Sequence, residues 1–355
     1  MNKPSSKKSK PLVSVIVLNW NGFEDTVEAI DSLLKQTYPN FNIICVDNAS
    51  TGHDVAALTN KYGDKIRMVG QYENIGFVRA HNHIFQMLID EDQAEYVALL
   101  NNDAVADPNW LENLMKCAIE TNSSMVSGKL IKYDSRDLLD NTGLILLQTG
   151  DIVPRGEFTN VRTYSKRSRI TAASGAGCMY SIRMLRQIGL FDEFFSTGYE
   201  DSELGLRAHL HNLKVMYEPK AIAYHKGSKS VNKIRNQNYS ITLHRNSFYT
   251  YFSHMPILLL IIFIPFHIMK FIGIVLFGVA TLRFKSLDSY LKALGLYLHN
   301  DRKIAKKRRH ELLKYTKPSL LKLMLLHKNF LPHYLRYGLF SLKNLHGIRS
   351  KLEGI

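Results

Sequence analysis

Between residues 12 and 120, short apolar runs alternate with stretches of helical period, and that alternation constrains the fold more than any other feature. Residues 12–18 (Leu-Val-Ser-Val-Ile-Val-Leu) read as a strand apolar on both faces. A turn at Asn19-Trp20-Asn21-Gly22 leads to residues 24–36, where Val27, Ile30, Leu33 and Leu34 recur at helical spacing. The pattern repeats: strand 41–46, helix 55–62, strand 66–69, a helix after Asn74-Ile75-Gly76-Phe77 carrying Ala80, Ile84, Met87 and Leu88, strand 96–100, helix 110–120. Strands joined through helices form right-handed βαβ units in a parallel sheet. Such a sheet binds ligands beyond the carboxyl ends of its strands. Asn19, Asp47, Gly76 and Asp103 all fall at or just after such ends, so one convergent site is expected.

Residues 125–200 are less regular, with β-like pieces at 125–130, 144–148 and 176–181 and a polar stretch at 154–169 expected as a mobile loop. A helix follows at 201–211, with Glu203 and Arg207 spaced for an ion pair. Residues 213–217 read as a last strand and 219–225 as an edge strand or loop. Cys45, Cys117 and Cys178 are too scattered for a metal site and read as reduced, buried thiols. The first apolar run, 13–18, is too short for a secretory signal.

Charge sits at the ends of the chain. Residues 1–10 carry +4 and residues 301–355 carry +11, which accounts for the whole net charge of +15 and leaves residues 11–300 neutral. A basic pI alone permits nucleic-acid binding, but no nucleic-acid-binding signature accompanies it. Residues 256–282 are apolar except for His267 and Lys270, with Pro265 near the middle. Basic residues beside a long apolar segment fit an anionic cytoplasmic membrane face better. As one helix the segment is long enough to cross a bilayer, yet Lys270 is costly in a lone spanning helix. A hairpin broken at 265–270, a buried helix pair and a dimer interface stay open. The tail after Asp301 alternates basic clusters with leucines, as a helix lying in the interface does. The expected organisation is a basic N-terminal tail (1–10), an α/β domain (11–250) and a membrane-associating, helical, basic C-terminal region (251–355).

Two acidic positions carry the chemistry. Asn101-Asn102-Asp103 ends the strand at 96–100, and Glu200-Asp201 opens a helix. A carboxylate at a strand end can hold Mg²⁺ or Mn²⁺, which accept carboxylate and diphosphate oxygens together. A carboxylate at a helix start can take a proton from an attacking hydroxyl, and the helix dipole favours its ionised form. The pair suits transfer of a sugar from a nucleotide diphosphate to a hydroxyl. Asp103 can equally cap a turn before Pro108, and Glu200 and Asp201 can equally cap a helix. Asp47-Asn48 can bind a base or ribose, Gly76 lets backbone approach a ligand, and Arg79 can reach a phosphate. His225 precedes a polar Lys226-Gly227-Ser228 segment, and Arg245-Asn246 stands where a lipid diphosphate could meet it.

These stretches resemble the inverting family 2 glycosyltransferases of GT-A fold, and among them bacterial rhamnosyltransferases that build cell-surface polysaccharides. The matching pieces run in order: Val13 through Gly22, Val46-Asp47-Asn48-Ala49-Ser50, Glu73 through Phe77, Leu100 through Ala104, Gly175-Ala176-Gly177-Cys178, Gly189 through Glu193, and Glu200-Asp201. The resemblance implies a Rossmann-like, mostly parallel GT-A sheet. It assigns the nucleotide base to Asp47, the metal to Asp103 with His225, and the catalytic base to Asp201 beside Glu200. Donor contacts are expected from Asn19, Asn48, Gly76, Arg79, Asn82 and Asn102. The family's D-x-D motif departs here at Asn101, which removes one carboxylate. The implied donor is a nucleotide sugar such as dTDP-rhamnose. The implied acceptor is a polyprenyl-diphosphate-linked or polysaccharide glycan at the cytoplasmic membrane face, with no nucleic acid as partner. A non-catalytic scaffold of a glycan-assembly complex is the alternative, favoured by Asn101.

Overall fold

The computed structural model describes residues 10–227, 237–282 and 284–336. Most of the basic N-terminal tail, Ser228 of the polar segment after His225, and the last basic residues of the C-terminal tail lie outside them.

The alternation in the first third forms the parallel half of a ten-stranded sheet. Strands β1 (Val13–Asn19), β2 (Phe41–Asp47), β3 (Arg67–Gly70) and β4 (Tyr96–Leu100) pair in parallel in the order β3-β2-β1-β4. Helices α1 (Phe23–Leu33), α2 (Asp54–Tyr62), α3 (Gly76–Glu91) and α4 (Trp110–Thr121) connect and cover them. β1 is buried along nearly its whole length because apolar clusters pack on both of its faces. The sheet then changes character: β11 (Gly177–Ser181) runs antiparallel between β4 and β6 (Met125–Lys132). Beyond it β6 and β12 (Val215–His225) pair in parallel. Short strands β5 (Ala104–Ala106), β7 (Leu139–Asn141) and β10 (Ser168–Arg169) join antiparallel, and β8 (Leu144–Leu146) with β9 (Ile152–Pro154) forms a separate hairpin.

Two expectations change. Residues 213–225 are not a strand followed by an edge piece: β12 is one strand with an irregularity between Tyr217 and Ile222, where Pro219 has no amide to donate. The polar stretch 154–169 is anchored. Arg155 lies over the rings of Tyr164 and Tyr217, 4.7 Å from each, and bonds Ser168, while Lys129 donates to the Val161 carbonyl. Of the alternatives left open for residues 256–282, a single continuous helix, Ile257–Thr281, forms with Pro265 inside it, and the broken hairpin does not.

Helices α5 (Ile182–Ile188) and α6 (Glu200–Leu210) follow β11. Helix α7 (Gln237–His254) runs across the expected boundary at 250 and joins the domain to α8 (Ile257–Thr281), α9 (Lys285–Leu296), α10 (Arg302–Thr316) and α11 (Leu320–Leu326). Packing is continuous there: Phe248, Tyr249, Tyr290, Ala293 and Tyr297 belong to the same apolar cluster as β1, β4 and β11. α6 is clamped from this side. The fully buried Glu203 carboxylate is ion-paired to Arg207 and His254 and reached by Arg308 of α10 at 3.3 Å. Burial alone would raise the Glu203 pKa, but the Arg207 charge and the hydrogen bonds from His254 and Arg207 outweigh it and hold the group ionised. Within α8, residues Ile257–Ala280 are long and apolar enough to cross a membrane, the one such stretch among the described residues. Cys45, Cys117 and Cys178 are buried and free.

Candidate active site

The carboxyl ends of β1, β2 and β4 open on a cavity of about 530 Å³, closed on its far side by the start of α6 and by β7 and β12. Asp103 and His225 meet because β12 pairs with β5, which sets His225 opposite Ala104, the residue after Asp103. His225 Nε2 lies 3.2 Å from Asp103 Oδ1 without hydrogen-bond alignment, and its Nδ1 lies 3.2 Å from Asp140 Oδ2. Lys132 stands 3.6 Å from the other Asp140 oxygen. Burial disfavours the charged imidazole, but the two carboxylates outweigh it and lift the His225 pKa to about 10. Asp140 was not foreseen: a lone acid in a three-residue strand gives no sequence signal.

The second acidic position faces the same cavity. Gly198 and Tyr199 both have left-handed backbone, with φ of 70° and 78°, and turn the chain sharply into α6. Glycine adopts that conformation at no cost, whereas Tyr199 must be held in it. Asn246 of α7 does the holding, donating from one amide nitrogen to the carbonyls of Thr197 (3.0 Å) and Gly198 (2.9 Å). Asp201 then accepts from the Gly175 amide (3.1 Å) through Oδ2 and from the Ser202 amide (2.6 Å) through Oδ1. Glu200 is more deeply buried than Asp201, and its Oε2 has no hydrogen-bond partner. Burial first, and the neighbouring Asp201 charge second, raise the Glu200 pKa to about 8. Burial also raises Asp201, opposed by its amide donors. Of the two, Asp201 is the better held as a carboxylate, because the Gly175 and Ser202 amides donate to it.

Seven of the expected site residues line the cavity: Asn48, Gly76, Asn102, Asp103, Glu200, Asp201 and His225. Gly76 has φ of 79°, which a side chain would strain. Asn48 and Asn74 bond each other across the rim, and Asn48 accepts from the Ile75 amide. Four others lie outside the described lining, and each has a structural partner. Asn19 is buried and bonds Asp47, Ser50, Asp54 and Thr26. Asp47 is 2% exposed, and both its oxygens accept from Asn19 or Ser50. Asn82 makes a two-way bond to the Phe191 backbone. Arg79 is exposed and sits 3.4 Å from Glu193. Arg245 does not stand ready for a diphosphate either, because it grips the buried Asp301 carboxylate with two nitrogens. Trp20 and Tyr239 also line the cavity and offer aromatic faces that the sequence reading did not assign.

Residues 14–189 match the family model described as Glycosyl transferase family 2. The chain carries a family 2 glycosyltransferase domain. Its relatives include glycosyltransferase GlyG of Streptococcus pneumoniae, 30% identical over 128 residues, which are 36% of this chain and 41% of that protein. O-antigen biosynthesis protein RfbC of Myxococcus xanthus is 27% identical over 236 residues, 63% of this chain and 18% of that one. The chain thus spans less than half the length of either relative. Among solved structures, GalNAc-T7 with UDP, GalNAc and Mn²⁺ superposes with a TM-score of 0.53 at 14% identity, covering 70% of this chain and 51% of that one. At that identity the likeness speaks to the fold, and it is the GT-A fold of this glycosyltransferase domain.

A divalent cation fits the site in part. Asp103 and His225 converge, and the poorly aligned Nε2 of His225 is aimed at the Asp103 carboxylate. No group of three or more His, Cys, Asp or Glu with metal-binding geometry occurs among the described residues. Asp103 thus offers one ligand and His225 a second once the cation displaces its ring proton, which leaves the remaining positions to diphosphate oxygens and water, as Mg²⁺ and Mn²⁺ accept.

Proposed function

We propose that this domain is an inverting glycosyltransferase that moves a sugar from a nucleotide diphosphate to a hydroxyl. One observation carries the reading: an acid and a histidine that could hold a metal, Asp103 and His225, and an amide-held carboxylate, Asp201, face one cavity from opposite sides. When bound, Mg²⁺ or Mn²⁺ held by Asp103 and His225 supplies positive charge to the departing diphosphate. Asp201 accepts the proton of the acceptor hydroxyl as its oxygen attacks the anomeric carbon. The bond from that carbon to the diphosphate oxygen breaks on the opposite face, which inverts the configuration. The Gly175 and Ser202 amides hold the Asp201 carboxylate in place, and Asn246 fixes the turn that presents it. Neutral Glu200 beside it avoids a second buried negative charge.

The finer reading is a dTDP-rhamnose donor and a polyprenyl-diphosphate-linked or polysaccharide acceptor at the cytoplasmic membrane face. Its support is the sequence resemblance to rhamnosyltransferases, the likeness to the O-antigen biosynthesis protein of Myxococcus, and the basic, apolar C-terminal third. The Mn²⁺ in the GalNAc-T7 structure makes manganese a natural first choice of ion. Asn101 favours a second reading, a transferase-like scaffold without turnover. Calorimetry with dTDP-rhamnose, UDP-glucose, UDP-galactose and GDP-mannose, with and without Mn²⁺, tests the first. Metal-dependent binding of one donor is expected. A folded sample that binds none of them contradicts it in favour of the scaffold.

A further inference from the structure

We propose that α8 is an in-plane anchor: it lies flat in the surface of an anionic bilayer and does not cross it. This deepens the membrane placement proposed above and rests on it. At 25 residues the helix is about 38 Å long, enough to cross a hydrocarbon core of about 30 Å. Its packing rules that orientation out. Leu259, Phe263 and Lys270 are buried, and Phe266, His267 and Ile274 are half-buried. These positions recur every three to four residues, so one stripe runs along most of the helix. That stripe is packed on the glycosyltransferase domain. Leu259 and Phe263 share a cluster with Leu146 of β8 and with Leu206 and Leu210 of α6. A Cβ on Gly150, in the β8–β9 turn, would stand 2.6 Å from His267. Lys270, in the middle of α8, is ion-paired to Asp151 of the same turn. Asp151 also accepts from Thr149, Ser247 and Tyr334. A spanning α8 would carry this polar turn to the bilayer centre, where charged and unsatisfied groups are most costly.

The opposite face has the complementary property. Ile261, Ile264, Ile268, Ile272, Leu276 and Val279 are 48–62% exposed and fall on one arc along the full helix. His267 and Lys270 are the only titratable residues of α8, and both lie on the packed stripe. The exposed arc is therefore apolar without interruption, a contiguous patch of the kind that marks an interaction surface. Helix α11 meets α8 on the packed stripe, where His327 just after α11 stacks on Phe263 at 3.9 Å, and it exposes Leu321 and Leu325.

Charge identifies the occupant as an anionic bilayer. The described residues from 301 to 336 hold eleven Lys and Arg against two acids, and one of those acids, Asp301, is buried against Arg245. A helix with an apolar face beside a cationic surface sits at the headgroup–acyl boundary of such a membrane. A second copy on this face would bring two basic flanks together, which opposes association.

The test uses the full chain and vesicles of phosphatidylcholine with and without phosphatidylglycerol. Flotation is expected with the anionic vesicles. In I261E/I268E, changed only on the exposed arc, the bound fraction should fall at least about tenfold, since two apolar side chains are lost from the membrane contact and two negative charges are added. A polarity-sensitive probe placed through Leu258→Cys, Ile268→Cys or Val279→Cys should report one shallow depth at all three positions. A probe at 268 deep in the bilayer with 258 and 279 near opposite surfaces would overturn the proposal. So would flotation of I261E/I268E equal to that of the parent, or a lipid-free dimer that masks the arc and does not float. Donor calorimetry on the same samples separates the two readings. Lost flotation with donor binding intact supports the anchor, whereas flotation without any donor binding contradicts only the transferase reading.

Discussion

Asn246 gives the sharpest handle on how the C-terminal helices support the site. It is 1% exposed, and its amide nitrogen is the donor that α7 supplies to the carbonyls of Thr197 and Gly198. Asn246→Ala removes two bonds worth about 1 kcal/mol each and leaves two carbonyls short of a partner at about 1 kcal/mol or more apiece. The expected loss is therefore about 2–4 kcal/mol of unfolding free energy. Asn246→Asp should be at least as damaging, because it replaces the donor with a carboxylate facing two carbonyl oxygens. Both variants also release the left-handed turn at Gly198 and Tyr199, so Asp201 loses its fixed position and turnover should fall further than the folded fraction does. Denaturant unfolding in detergent gives the first quantity, and rate per folded molecule gives the second. If Asn246→Asp unfolds at the parent's midpoint and turns over at the parent's rate, the turn does not depend on this amide and the reasoning is wrong.

Other perturbations give equally definite outcomes. Glu203→Gln leaves Arg207, His254 and Arg308 around a neutral group, so unfolding free energy should drop by about 3–5 kcal/mol, read by chemical denaturation. Glu200 has a folded pKa of about 8 against 4.5 for the free group. Its contribution is complete below pH 4.5 and is lost as pH rises to about 8. Glu200→Gln lacks that loss, so its stability relative to the parent should improve between pH 5 and pH 9 in paired denaturation curves. Asp103→Asn removes the one carboxylate of the metal pair, so the Mn²⁺-dependent part of donor affinity should fall roughly tenfold or more in calorimetry.

The parts of the fold that were legible in the sequence are those whose residues report their own surroundings. β1, β2 and β4 are apolar on both faces because both faces are covered, and their helices show the period of a half-buried surface. Strands β5, β7 and β10, of three or two residues, exist only through partners far along the chain and carry no period of their own. α5 escaped notice for a similar reason: seven residues directly after β11 make barely two turns. In the site, Asp103, Glu200 and Asp201 were legible as acids at a strand end and a helix start. Asn19 and Asp47 also stand at strand ends and Asn82 lies inside α3, but their polar atoms are taken up by other protein groups, in the case of Asn82 by Phe191, 109 positions away. Position along the chain places a side chain near a site; only the fold determines whether its polar atoms face the cavity. The same holds for Lys270, which read as costly in a spanning helix until Asp151 supplied its partner.

The central claim is that Asp201 takes the acceptor proton while Asp103 and His225 serve the diphosphate. Once the donor panel has identified a substrate, the decisive measurement is turnover and donor affinity of Asp201→Asn side by side. The account predicts an unchanged donor affinity with Mn²⁺ and a rate at least about a hundredfold lower, as removal of a general base gives. Turnover at the parent's rate with that carboxylate gone would contradict it.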